Sequence, residues 1–277
     1  GTLLGVLVLS WLFPVQIAIF IICFCFYYLF RIVYFSIHQV IGYFKVKKHL
    51  SMDWMQELNR IKPARIATQS VAGGDWRNIY HLIILPTYKE KIKIIKESLD
   101  SLISSDYPKE KLIVVLAIEE RAGTEVKEIA SLIEKEYADK FFRFLVTLHP
   151  DNIENEIAGK GSNVAYAGKK TREKIIDVLK ISYENILVSN FDIDTKIYPQ
   201  YFSCLTWYYL TEKNPQRASY QPIPVYNNNI WSASALTRVV STSNTFWQMI
   251  QQERSEKLTT YSSHAIPAKV FFEVGYP

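Results

Sequence analysis

The chain has 277 residues, is 49% hydrophobic and 14% aromatic, and carries a net charge of +5. That composition excludes a disordered or collagen-like chain and leaves ample apolar material for one sizeable core. The charge is uneven: no charged side chain precedes Arg31, and none lies between Arg31 and Lys45.

Residues 2–13 are apolar and are expected to be the last part of one transmembrane helix, interrupted by Pro14. A second apolar run follows over 15–37, with Tyr27, Tyr28 and Tyr34 suited to headgroup depth. It is long enough to span alone, since spanning takes roughly 20 apolar residues. It lacks the short apolar core and small-residue cleavage site of a signal peptide. Lys45, Lys47, Lys48, Arg60, Lys62 and Arg65 come next. A basic flank marks the cytoplasmic side, and its place beside the apolar run favours lipid headgroups over nucleic acid. Within 51–62, Met52, Trp54, Met55, Leu58 and Ile61 have helical spacing, fitting a helix on the membrane surface or against the next domain. Residues 71–75 read as a loop. The expected spans are therefore a transmembrane segment over 1–44, a basic interfacial linker over 45–76 and a main domain over 77–277, the catalytic domain of the resemblance given below.

From residue 77 strands and helices alternate. Strands are predicted over 79–85, 112–118, 142–148 and 186–189. Helices are predicted over 89–104, 124–137 and most of 161–181, with Ile92, Ile95, Leu99 and Leu102 marking the apolar face of the first. This rhythm predicts an α/β layer fold with a mainly parallel sheet, whose ligands sit beyond the carboxyl ends of the strands. The residues expected at that edge are Pro86 to Glu90, Glu119-Glu120-Arg121, and Asp192-Ile193-Asp194, with Gly159 to Asn163 opening the third helix. Asp192 and Asp194, one residue apart, have the chemistry to ligate one hard cation between phosphates, though Asp is also a common turn residue. Lys160 at a helix start suits a diphosphate, and equally a plain turn. Cys23, Cys25 and Cys204 show no zinc or disulfide spacing, which points weakly to a reducing compartment.

The segments Pro86-Thr87-Tyr88-Lys89-Glu90, Ser98-Leu99-Asp100-Ser101-Leu102, Tyr107-Pro108, Lys160-Gly161-Ser162-Asn163 and Asp192-Ile193-Asp194, in this order, resemble the family 2 glycosyltransferases. The membrane-bound, processive-synthase-like branch is the most similar. The resemblance spans 79–277 and implies a GT-A, Rossmann-like domain beside transmembrane helices of a multi-pass membrane protein. It implies inverting transfer of a sugar, of the hexosyltransferase type, from a nucleotide diphosphate to a polysaccharide or lipid-linked acceptor at the cytoplasmic face. UDP-sugar is the family default and Mg²⁺ or Mn²⁺ the implied cofactor. By the same resemblance, Thr87, Tyr88 and Glu90 match the nucleotide-contacting turn. Glu119 stands near the Asp that holds the base, but Glu119-Glu120-Arg121 departs from the usual Asp-Asp-Gly-Ser. Lys160 and Asn163 match a Lys-Ala-Gly-Asn segment, and Asp192 and Asp194 match the metal pair.

Residues 198–211 are expected as an aromatic helix and 221–231 as a strand with a polar loop. Gln221, Asn228 and Trp231 there suit a sugar or acceptor region, or simply a packed aromatic core with a capped loop. Residues 245–250 belong to a long helix expected near the membrane. The family's acidic motif for the catalytic base is expected beyond Pro277, and its Gln-x-x-Arg-Trp motif is absent. Gln251 and Arg254 have the spacing without the Trp and read as ordinary helix surface. The chain is therefore expected to be a fragment that lacks its catalytic base. Two other readings stay open: a non-catalytic, membrane-anchored module that binds a sugar nucleotide or a partner, and a nucleotidyltransferase.

Overall fold

The computed structural model describes residues 2–61, 75–151, 153–154, 156–227, 230–254, 259–260 and 263–276. Lys62, Arg65, residues 71–74 of the expected loop, and Asn228 lie outside the described residues. The chain forms two compact units: Gly1–Met52 with Ile223–Thr259, and Asp53–Pro222 with Thr260–Pro277. These differ from the expected spans. Residues 223–259, expected inside the catalytic domain, cluster instead with the N-terminal helices.

The first unit is helical. Helix α1 (Thr2–Leu12) is followed by α2 (Pro14–Ser51), with Pro14 in the first turn, where a missing N–H costs nothing. Helix α2 has 38 residues and runs beyond the expected 37 into the lysines, because nothing between Arg31 and Ser51 breaks a helix. Among the described residues it is the one helix long and apolar enough to cross a membrane. The 11 residues of α1 rise only about half of a bilayer's hydrocarbon thickness. Helix α8 (Ala235–Gln252) starts on Ser234, whose Oγ accepts from the Thr237 N–H at 3.2 Å. It packs on α2 with Gln248 and Gln251 buried, so Gln251 is not the helix surface expected of it. Arg254 donates to Gln251 Oε1 at 3.0 Å and lies over the Phe35 ring at 5.4 Å. Long-range packing against an apolar helix decides this burial.

The second unit is a mixed α/β layer. Its strands are β1 (Tyr80–Thr87), β2 (Leu112–Glu119), β3 (Arg143–His149), β4 (Ile186–Asn190) and β5 (Ala265–Pro267), in the order β3-β2-β1-β4-β5. The first four pair in parallel, and β5 runs antiparallel to β4. The three-residue β5 is too short for any alternation to reveal. The period-two pattern sorts the sheet into two faces. Ile83, Leu85, Val114, Leu116 and Leu187 face α4 (Ile92–Ile103), α5 (Thr124–Tyr137) and α7 (Tyr201–Thr211). Leu82, Ile84, Ile113, Val115 and Val188 face α6 (Lys160–Thr171) and α9 (Ala268–Glu273). The amphipathic α3 (Trp54–Arg60) belongs to this unit. It buries Trp54 and Leu58, with the Trp54 ring 5.5 Å from Trp207 of α7.

Strand β1 runs through Pro86, where the sequence predicts a stop. In a parallel strand the N–H and C=O of one residue face the same neighbour. The Ile84 carbonyl accepts from the Phe191 N–H at 3.2 Å, so Pro86, two residues on, faces the side where β1–β4 pairing has ended. Its missing N–H is not needed there.

His81 on β1 is fully buried, its Nε2 2.9 Å from Thr206 Oγ1 and its Nδ1 without a hydrogen-bond partner. Burial lowers its pKa from 6.5 to about 3. The unfolded chain therefore takes up a proton below pH 6.5 that the folded chain refuses until about 3. Stability should fall across that window by up to about 1.4 kcal/mol per pH unit and be unaffected by this group above it. Replacing the residue, as in His81→Gln, should remove that part of the slope in urea unfolding followed between those limits.

Candidate functional site at the carboxyl edge of the sheet

The strand order reverses between β1 and β4, and an open parallel sheet has its crevice at such a point. Around it lie the ends of β1, β2 and β4 and the start of α6.

After β1, Glu90 folds back on the turn. Its Oε2 accepts from Thr87 Oγ1 at 2.6 Å and from the Tyr88 N–H at 2.7 Å. Burial raises the Glu90 pKa, but those bonds and the amides of Lys89 and Glu90 outweigh it, leaving it below the ordinary carboxylate range. This carboxylate therefore holds the turn. It also delays α4, which begins at Ile92 instead of residue 89. Thr87 is buried, and the Tyr88 ring lies 5.0 Å under the Arg121 guanidinium.

After β2, the buried Glu119 pairs with Arg121. Register sets Glu119 beside His149, the last residue of β3. His149 is also buried, its Nε2 2.7 Å from Glu156 Oε1 and its ring 5.0 Å from Tyr166 of α6. Glu119, Arg121, His149, Asp151 and Glu156 line an open cleft of about 330 Å³. His149 was not singled out in the sequence. Its one signal is a polar residue ending an apolar strand, and pairing with Glu119 is visible only once β2 and β3 are in register.

Helix α6 begins with a reciprocal cap. The Gly159 N–H donates to Ser162 Oγ at 3.1 Å, and Ser162 Oγ donates to the Gly159 carbonyl at 2.8 Å. Lys160, in the first turn, forms an ion pair with Asp192. Asn163 is fully buried and donates from Nδ2 to the Ala117 carbonyl of β2 at 2.8 Å. It ties the helix start to the sheet and does not reach the surface of the crevice.

Beyond β4, Phe191 and Ile193 are buried, whereas Asp192 is half-exposed and Asp194 exposed. The Asp192 carbonyl accepts from the Thr195 N–H at 2.9 Å, closing a turn. Helix α4 holds the far side of this turn: Ser98 Oγ donates to the Thr195 carbonyl at 3.0 Å and Ser101 Oγ accepts from the Ile197 N–H at 3.3 Å. Among the described residues no three His, Cys, Asp or Glu side chains gather into a ready-made metal cage. Two hard carboxylates at a strand end fit a cation whose other ligands come from phosphate and water.

Thr87, Tyr88, Glu119, Lys160, Asp192 and Asp194 thus share one edge, with Glu90 and Asn163 behind it as struts. Gln221, which donates to the Pro222 carbonyl at 3.0 Å, belongs to the α/β unit. Trp231, 86% exposed, belongs to the helical unit. Residues 221–227 form no strand, because only Tyr220 bridges to Ala265.

No family model and no curated protein matches the chain. Among solved structures it is similar to a mannosyltransferase, PcManGT from Pyrobaculum calidifontis, in complex with GDP-Man and Mn²⁺: 15% identity, TM-score 0.45, 87% of this chain and 55% of that one. It is also similar to S. aureus TarS 1–349, with 15% identity, TM-score 0.40, 71% of this chain and 49% of that one. The same TarS segment with UDP-GlcNAc gives 14% identity, TM-score 0.39, 71% and 47%. This chain therefore spans about half the length of the solved structures it matches. Likenesses this distant do not carry the chemistry of those proteins over to it.

The different roles of Lys160 and Asn163 should separate in stability. Asn163→Ala strands a buried carbonyl and should cost about 1–3 kcal/mol in urea unfolding. Lys160→Ala removes a largely solvated pair and should cost under about 1 kcal/mol.

Proposed function

We propose that the chain is the nucleotide-sugar-binding part of a metal-dependent, inverting glycosyltransferase of family 2 type, held at the cytoplasmic face of a membrane by α2. The observation that carries this reading is the Lys160–Asp192 pair at the crevice, formed between a helix start and a strand end, with Asp194 two residues further along the chain. A cation at the head of a helix favours a diphosphate, and a pair of carboxylates favours the divalent ion that accompanies one.

In this reading the nucleobase and ribose enter the cleft of Glu119, Arg121 and His149, with Thr87 and Tyr88 forming its wall toward β1. Glu119 offers an acceptor for a base N–H, and Arg121 stays attached to it as a donor. The diphosphate lies over the first turn of α6. Lys160 then exchanges its Asp192 partner for a phosphate oxygen, and Asp192 and Asp194 would be the residues to hold Mg²⁺ or Mn²⁺. An ion held there would supply neutralisation of the charge on the departing nucleoside diphosphate. Glu90 and Asn163 keep the two walls of the crevice in place without touching ligand. The acceptor is a glycan or a lipid-linked saccharide, and the protein crosses the membrane more than once. Lys45, Lys47 and Lys48 near the end of α2 support the cytoplasmic orientation.

Calorimetric titration with UDP- and GDP-sugars, with and without Mn²⁺, tests this. Mn²⁺ should tighten nucleotide-sugar binding to the parent, and Asp192→Ala and Asp194→Ala should each weaken the metal-assisted binding by ~10-fold or more. Lys160→Ala should weaken nucleotide binding by a similar factor while strengthening Mn²⁺ binding in the absence of nucleotide. If the aspartate variants bind as tightly as the parent in Mn²⁺, the site assignment is wrong.

A further inference from the structure

Helix α8 carries an apolar face that its own unit leaves uncovered. Leu236, Val239, Val240, Phe246 and Trp247 are 76%, 63%, 53%, 42% and 40% exposed. Their spacing gathers them within an arc of about 120° that also holds Ser243, with Thr237 and Asn244 on its flank. Trp231, before the helix, is also exposed. An exposed apolar stripe of this kind marks a contact surface.

Where α8 touches α2 indicates what covers the stripe. A Cβ on Gly42 would lie 3.2 Å from the Met249 carbonyl oxygen, so the two backbones approach closely there. Phe35 and Trp247 meet edge-on at 5.6 Å, and Lys45 pairs with Glu253. All of these α2 residues lie late in the helix. Counting from Pro14, the ~20 residues that cross hydrocarbon end near Tyr34. The contacts with α8 thus begin where the acyl chains end and reach the first lysine. A helix docked at that level lies at headgroup depth. Its composition agrees: Arg238 is its single charged residue, it has no acidic one, and Lys45, Lys47 and Lys48 stand on the adjoining part of α2. Cations and Trp beside an apolar stripe suit the surface of an anionic bilayer.

We propose that α8 is a second membrane-contacting element, lying in the bilayer interface with Leu236, Val239, Val240, Phe246 and Trp247 toward the acyl chains. The proposal rests on reading α2 as a membrane-crossing helix. It makes α8 a lipid-facing part of the protein, though it lies between the Asp192–Asp194 turn and β5 in sequence.

Spin labels read this directly. In a Cys23→Ser, Cys25→Ser, Cys204→Ser background, single cysteines replace Val239, Phe246, Thr237, Asn244 and, as a reference within α2, Ile22. The whole chain is placed in nanodiscs of phosphatidylcholine and phosphatidylglycerol, and collision rates with oxygen and with a water-soluble nickel chelate are compared. Oxygen should dominate at Val239, Phe246 and Ile22, and the nickel chelate at Thr237 and Asn244. Nickel-dominated rates at all four α8 positions, with Ile22 still oxygen-dominated, would place α8 in water and overturn the proposal alone. Protection of Val239 and Phe246 from both reagents would mean that protein covers the stripe, and would overturn it equally. Nickel access at Ile22 would overturn the reading of α2, and the proposal with it.

Discussion

A strand buried on both faces has to satisfy its backbone along both edges, and β1 meets this demand through parallel ladders to β2 and β4. The rest of the α/β unit depends on that double pairing. It places α4, α5 and α7 on one face and α6 and α9 on the other. It also brings three strand ends to one edge, so residues more than a hundred positions apart, such as Thr87 and Asp192, become parts of one crevice. Pro86 marks where the β4 ladder ends and the crevice begins.

Charges at this edge are paired in the protein alone. Lys160 holds Asp192 and Arg121 holds Glu119. The two pairs differ in environment. Glu119 is buried, where an unpaired charge would be expensive. Lys160 and Asp192 are each nearly half-exposed, so exchanging partners costs little. The exchangeable pair stands at the helix start, where a phosphate is best received, and the buried pair lines the cleft.

The helical unit obeys a different solvent rule. Only Gly42 of the long α2 is buried, and that residue is where Met249 of α8 comes close. The helix is otherwise covered by little within its own unit. In α8 two amides, Gln248 and Gln251, are buried together with Met249 and Ile250.

Much of this was legible in the sequence, because it depends on local pattern. Period-two and helical spacing located β1 to β4, α5 to the residue and most of α4, and the absence of charge before Arg31 located the apolar helices. The polar clusters at the strand ends could be read as one edge once the strands were taken as parallel. What local pattern cannot carry is the partner of a side chain. Glu90 braces its own turn through Thr87, and Asn163 ties α6 to Ala117, partners that spacing does not reveal. Gln251 looked like surface and is buried, while His149 passed unnoticed and lines the cleft. Residues 223–259, continuous in sequence with the α/β domain, joined the other unit. The sequence by itself determined which segments fold and which ends are polar, since propensity and periodicity act over a few residues. Tertiary structure alone decided which polar groups meet each other and which remain open to a ligand, since that depends on register and packing between distant segments.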